Sequence, residues 1–177
     1  MGFENIKAAY EYAREMHEGQ ERKFTGEAYI VHPEHTAGFI VQIDGSVDMI
    51  IAALLHDVLE DTDADPEYIK AEWGNEVLGL VQELTSDKVL QKKMGKKKYL
   101  SKELNGMTND AFTVKLADRL SNILYMEDKR TPMSFIRGYT KETLYILNHI
   151  ERDLNEDQEI LITRLRAAIL YVKNKVR

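Results

Sequence analysis

Four polar residues close together in the chain, His56, Asp57, Glu60 and Asp61, are of the types that hold metals and move protons. Helical spacing sets Glu60 one turn after His56 and Asp61 one turn after Asp57, so the sequence predicts all four on one face. They follow an unbroken apolar run, Met49 to Leu55. Carboxylates crowded at the end of a buried helix are costly to desolvate unless a cation or hydrogen-bond donors sit among them. A divalent metal meets that need. The plainer alternative is a polar last turn reaching solvent, which accounts for the carboxylates and leaves the histidine unexplained.

Two further places offer partners. Lys115, Asp118 and Asn122 fall on one helical stripe beside an inward stripe of Leu116, Leu120 and Ile123. Taken alone, Asp118 reads as the ion-pair partner of a lysine or arginine before it reads as a metal ligand. His32 stands just before Pro33, where a lone histidine ordinarily packs or begins a helix. His35 is expected at the surface, His149 has no evident role, and His17 is placed near the site rather than in it.

The elements that must bring these places together are helices, since apolar residues recur at three and four and only three prolines interrupt them. Segments are expected at 5–18, 33–43, 46–61, 66–73, 75–84, 87–104, 109–127, 132–150 and 156–175. Pro33 suits a first helical turn, Gly45 a break, and Thr131 before Pro132 a cap. The loop at 20–31 is expected to be mostly irregular, with room for one short β-hairpin over 24–30. The expected fold is therefore an all-α bundle of about eight to ten helices.

The chain has 177 residues, enough for one core, so a single domain over residues 1–177 is expected. No cysteine is present, which excludes disulfides, thiolate zinc sites and a thiol nucleophile and leaves imidazole and oxygen as ligands. A formal charge of −6 argues against DNA or RNA as a partner but not against a small anion held by local cations. The start lacks a signal-peptide pattern and no run of about 18 apolar residues occurs, so a cytoplasmic protein without membrane contact is expected. A lysine-rich run, Lys92, Lys93, Lys96, Lys97 and Lys98, reads as a solvated face, with anion capture as the sharper alternative.

The order His32, then His56-Asp57, then a distant Asp118 resembles the signature of the HD-domain phosphohydrolases. The likeness is denser than that pattern alone. His17-Glu18-Gly19-Gln20, Arg22-Lys23, Gly26-Glu27, Tyr29-Ile30 and His32-Pro33 resemble the opening of the hydrolase domain in RelA/SpoT-type enzymes. His56 to Thr62, Trp73-Gly74, Leu84-Thr85, Lys115 to Leu120 and Asn122 follow in that family's order, and Glu142-Thr143-Leu144 is a fainter last match. The chain ends before any synthetase, TGS or ACT region, which resembles the small hydrolase-only members, including the metazoan SpoT homologue.

The resemblance implies an HD-domain helical bundle that hydrolyses ppGpp and pppGpp to GDP or GTP and pyrophosphate, with Mn2+ or another divalent ion. It implies His32, His56, Asp57 and Asp118 as metal ligands, and Glu60 and Asp61 as the catalytic carboxylates that handle water and leaving group. It implies Arg22 and Lys23 beside the nucleotide, Lys115 and Asn122 completing the pocket, and Thr25 and Tyr29 in its wall. Ala28 stands where many members have proline. Leu124 and Tyr125 stand where many have arginine and a small polar residue, so base or ribose contacts differ. The alternative is an HD phosphohydrolase acting on another nucleotide, such as a nucleoside monophosphate or the phosphate of NADPH. A non-catalytic alarmone-binding helical module is a third reading.

Overall fold

The apolar run beginning at Met49 becomes α3 (Val47–Leu55), with Ser46 as its cap: the Ser46 hydroxyl accepts from the Met49 amide at 3.2 Å. In this computed structural model, which describes residues 2–175, α3 is buried almost all round, as its composition requires. It is packed by α1 (Gly2–Met16), α2 (Val31–Val41) and α5 (Pro66–Leu84). The second central rod is α8 (Asn109–Tyr125), which lies against α2, α3, α5 and α10 (Glu156–Lys175). Every residue from Ala111 to Ser121 on α8 is buried, including Lys115, Asp118 and Arg119. The remaining segments are α4 (Val58–Asp61), α6 (Lys88–Met94), α7 (Lys96–Gly106) and α9 (Met133–Leu147). The fold is all-α, and among the described residues there is no named strand.

Several boundaries differ from the sequence reading, each for a local reason. The expected helix over 46–61 is two: it stops at Leu55, turns through His56 and Asp57, and resumes as α4. The Asp57 backbone (φ −102°, ψ −6°) leaves regular helical geometry, and the Glu60 amide bonds the Asp57 carbonyl rather than that of His56. The expected helix over 87–104 divides at Gly95, whose φ of 82° only glycine adopts readily. Gly74, at φ 89°, likewise kinks α5 where the sequence places two helices. Helix α2 begins at Val31, before Pro33, which brings His32 into its first turn.

The hairpin suggested over 24–30 reduces to one antiparallel bridge between Glu21 and Ala28. Phe24 and Gly26 both take left-handed backbone conformations (φ 77° and 71°), and the chain is pinched round before a ladder can lengthen. Thr131 does not cap α9: Pro132 holds the cap position, and the Thr131 hydroxyl is buried without a hydrogen-bond partner.

Candidate metal centre

Two histidines meet between the central rods. His32 from the first turn of α2 and His56 from the end of α3 face each other with Nε2 atoms 3.1 Å apart. Asp118 from α8 brings Oδ1 to 3.2 Å from His32 Nε2 and 3.8 Å from His56 Nε2. Asp57 brings Oδ2 to 3.0 Å from His56 Nε2 and 3.6 Å from His32 Nε2. The ligand atoms of His32, His56 and Asp118 all lie within 4.8 Å of one another, and both histidines are almost wholly buried. All four residues singled out from the sequence thus converge.

The outer atoms of each ring decide what the inner ones can do. His56 Nδ1 lies 2.7 Å from the Ala53 carbonyl, which only accepts, so Nδ1 carries a hydrogen and Nε2 of the neutral ring is a lone pair. His32 Nδ1 lies 3.0 Å from the Ser121 hydroxyl. Two imidazole nitrogens and two carboxylate oxygens converging in a buried place repel one another unless a cation or a proton sits among them. The donor set is mixed nitrogen and oxygen, suited to a divalent first-row ion. Without a metal, a proton on His56 would relieve the same repulsion. Burial opposes charge on His56, but Asp57, its hydrogen bond and Asp118 outweigh that and push the ring up to about 9. Burial dominates at His32 and lowers it. Burial resists ionisation of Asp57 and Asp118 too, yet His56 for the first and Lys115 for the second hold both carboxyls well below the usual range.

Second partners fix the carboxylates. The Tyr29 hydroxyl donates to Asp57 Oδ2 at 2.6 Å, and burial, with the Asp57 charge, raises its phenol far above the ordinary value, so it remains a donor. The Asn122 amide donates to Asp118 Oδ1 at 2.6 Å, and Lys115 Nζ lies 3.4 Å from Asp118 Oδ2. The two sequence readings of Asp118, lysine partner and metal-site residue, are therefore both met, one by each oxygen.

Tyr29 and Asn122 also line a pocket of about 180 Å³ that adjoins the cluster, together with Arg22, Lys23, Tyr125 and Phe135. Arg22 donates to Asn122 Oδ1 at 3.1 Å, and its guanidinium lies 4.1 Å from the Tyr125 ring centroid. Its Nε is buried without a partner. Lys23 Nζ stands 5.1 Å from the Phe24 ring centroid and 5.3 Å from that of Phe135. Thr25 and Lys115 do not line this pocket. The Thr25 carbonyl instead accepts from Arg130 at 2.6 Å, and Lys115 sits beneath Asp118.

The one-turn spacing expected of Glu60 and Asp61 is kept for one pair, the Asp61 amide bonding the Asp57 carbonyl at 2.9 Å, whereas the Glu60 amide bonds Asp57 and not His56. The turn at Asp57 carries them to the rim, where Lys88 of α6 lies 3.7 Å from Glu60 Oε1 and 3.5 Å from Asp61 Oδ1. Glu60 Oε2 also accepts the Ser86 amide at 3.1 Å. His17 stacks obliquely on Tyr29, ring centroids 4.7 Å apart, and bonds Gln20 at 2.9 Å. His35 is exposed, as expected.

Residues 9–154 match the HD domain family. The chain belongs to the HD-domain family. An HD domain implies a divalent metal, and the cluster of His32, His56 and Asp118 is where this HD domain offers ligands. Among curated relatives, the guanosine-3′,5′-bis(diphosphate) 3′-pyrophosphohydrolase of Aquifex aeolicus is 38% identical over 156 residues, covering 81% of this chain and 20% of that protein. The protein of the same name from Spiroplasma citri is 42% identical over 123 residues, 67% of this chain and 16% of its own. The bifunctional (p)ppGpp synthase/hydrolase SpoT of Escherichia coli is 33% identical over 165 residues, 85% of this chain and 23% of its own. The HD domain described here thus spans about a fifth of the curated relatives it matches. A solved structure described as a metazoan ortholog of SpoT that hydrolyzes ppGpp shares the fold, with TM-score 0.81, 24% identity and coverage of 98% of this chain and 97% of that one. No helix among the described residues is long and apolar enough to cross a membrane.

The sequence reading missed Ser121, which lies one turn beyond Asp118, and Lys88, just outside the lysine run it marked. It noted Tyr125 only as a departure. Spacing carried a signal for Ser121 and Tyr125, three and seven residues after Asp118 and so close to its face, but neither residue type announces chemistry.

Proposed function

We propose that this HD domain hydrolyses ppGpp and pppGpp, releasing pyrophosphate from the 3′ position and leaving GDP or GTP. The observation that carries this reading is the junction of an acceptor-only buried cluster with a pocket of cationic and aromatic side chains, bridged by Tyr29 and Asn122. His32, His56, Asp57 and Asp118 would hold the metal, and the mixed donor set suits Mn2+. A divalent cation there supplies Lewis-acid polarisation of a phosphoryl oxygen and lowers the pKa of a water.

The chain's own residues supply the rest. Arg22, held in place by Asn122 and by the Tyr125 ring, offers its guanidinium to the base, and Lys23 presents its ammonium to phosphate. Tyr29 donates to Asp57 and keeps that carboxylate turned toward the histidines. Glu60 and Asp61 at the rim take the proton of the attacking water and return one to the departing 3′ oxygen, with Lys88 holding the pair. Lys115 balances the Asp118 charge from below, and Thr25 acts through its loop rather than by contact.

Tyr125 favours one alternative. It already covers a face of the Arg22 guanidinium, which leaves less of that cation for a guanine than an open arginine would offer. A nucleoside monophosphate or the phosphate of NADPH is then the competing substrate. Incubation with Mn2+ and ppGpp, with products separated by anion exchange, tests both. Pyrophosphate and GDP are the expected products. Orthophosphate from the other nucleotides with ppGpp intact would replace the primary reading by the alternative, and ppGpp bound but unchanged would favour a binding module.

A further inference from the structure

Both histidines of the cluster turn Nδ1 outward to a partner, but the partners differ in kind. His56 is held by the Ala53 carbonyl, an acceptor only, so main chain alone sets its tautomer. His32 is held by a hydroxyl, Ser121 Oγ at 3.0 Å, which can donate or accept. The two are buried together, 2% and 3% exposed, so no bulk water competes for the bond. Around His32 Nε2 stand His56 Nε2 at 3.1 Å, Asp118 Oδ1 at 3.2 Å and Asp57 Oδ2 at 3.6 Å. Were Ser121 to donate, Nε2 would carry a hydrogen aimed into the place of the cation. With Ser121 accepting, the lone pair points there instead.

We infer that Ser121 is the positioning residue for His32: its hydroxyl accepts the Nδ1 hydrogen, fixes the ring's rotation and leaves Nε2 free to bind metal. The inference rests on the ligand set proposed above. It has a structural economy, since α8 supplies Asp118 as one ligand and, one turn later, the group that orients another. The far side of the residue is fixed independently, the Thr36 hydroxyl donating to the His32 carbonyl at 3.0 Å, so losing Ser121 frees the ring without freeing the backbone.

The test compares the full chain with Ser121→Ala, Ser121→Thr and Ser121→Val, measuring Mn2+ affinity at one pH by competition with a chromogenic chelator. Far-UV circular dichroism and the unfolding midpoint in EDTA show that each variant is folded. Loss of an outer hydrogen-bond partner of a ligating histidine weakens metal binding by about tenfold to a hundredfold. Ala and Val are expected to lose that much and Thr, which keeps the hydroxyl at Val's volume, to stay near the parent. Folded Ala and Val variants that bind Mn2+ as the parent does would overturn the inference, as would equal losses in Thr and Val. A parent chain that binds no Mn2+ would sink the ligand set itself, a separate and recognisable failure.

Discussion

The buried cluster and the acidic rim meet in one short stretch of chain, His56 to Asp61, and are built on opposite principles. At the cluster, His32, His56 and Asp118 come from three different helices, each is more than nine-tenths buried, and every outer atom discussed has a named partner. At the rim, Glu60 and Asp61 sit on a one-turn helix and are held mainly by Lys88, from α6, a segment with no buried residue. The difference matches the two jobs proposed for them. A metal site needs geometry that solvent cannot relax, and low dielectric makes its electrostatics strong. Proton handling needs carboxylates that exchange with water and substrate, which a half-buried Glu60 and an exposed Asp61 allow.

The largest effect should come from the cluster. Asp118→Ala is expected to abolish metal retention and turnover together, read by metal analysis of the purified protein and by product release. It also strands Lys115 in the interior, at about 3 to 5 kcal/mol of stability, so Asp118→Asn, which loses the charge but keeps an oxygen for Lys115 and the side-chain volume, is compared with it. Metal affinity undiminished in both would erase the distinction between cluster and rim. Glu60→Gln should behave oppositely, keeping metal and substrate while losing about a hundredfold to ten-thousandfold in rate, as loss of a general acid or base does. Unchanged kcat would remove Glu60 from the chemistry.

A pH scan separates the regions again. In the metal-free protein the His56 pKa is raised to about 9 from 6.5, so its contribution to stability is complete below about 6.5 and is lost as pH rises through about 9. Thermal unfolding in EDTA should therefore weaken across that window, and divalent-ion affinity should rise as the competing proton leaves. A flat profile would mean that no proton fills the cluster. The smallest effect belongs to the rim tether. Lys88 is well exposed, so Lys88→Met should change stability by at most about 1 kcal/mol, measured by urea unfolding. A larger loss would show that α6 is anchored as firmly as the cluster.

Part of the cluster was legible because its residue types are unusual where they stand. A histidine ending an apolar run needs a partner whatever the fold, whereas Asp118 and His32 taken alone read as an ion-pair partner and a packing residue and are drawn in by the family resemblance. The rim was legible only by residue type. Its tethers could not be read from spacing, because the helix breaks at His56 and Asp57 and the Lys88 that meets both carboxylates comes from another helix. The lysine run, mostly exposed, adds nothing to either region.

By itself the sequence determined the helical class, through apolar spacing, and offered His56 and Asp57 through their company at the end of an apolar run, while His32 and Asp118 joined them only through the resemblance to HD-domain enzymes. Tertiary structure alone decided which atoms face inward. That choice depends on an acceptor at Ala53, a hydroxyl at Ser121 and an amide at Asn122, and hydrogen-bond partners from other turns and other helices are not encoded in local spacing.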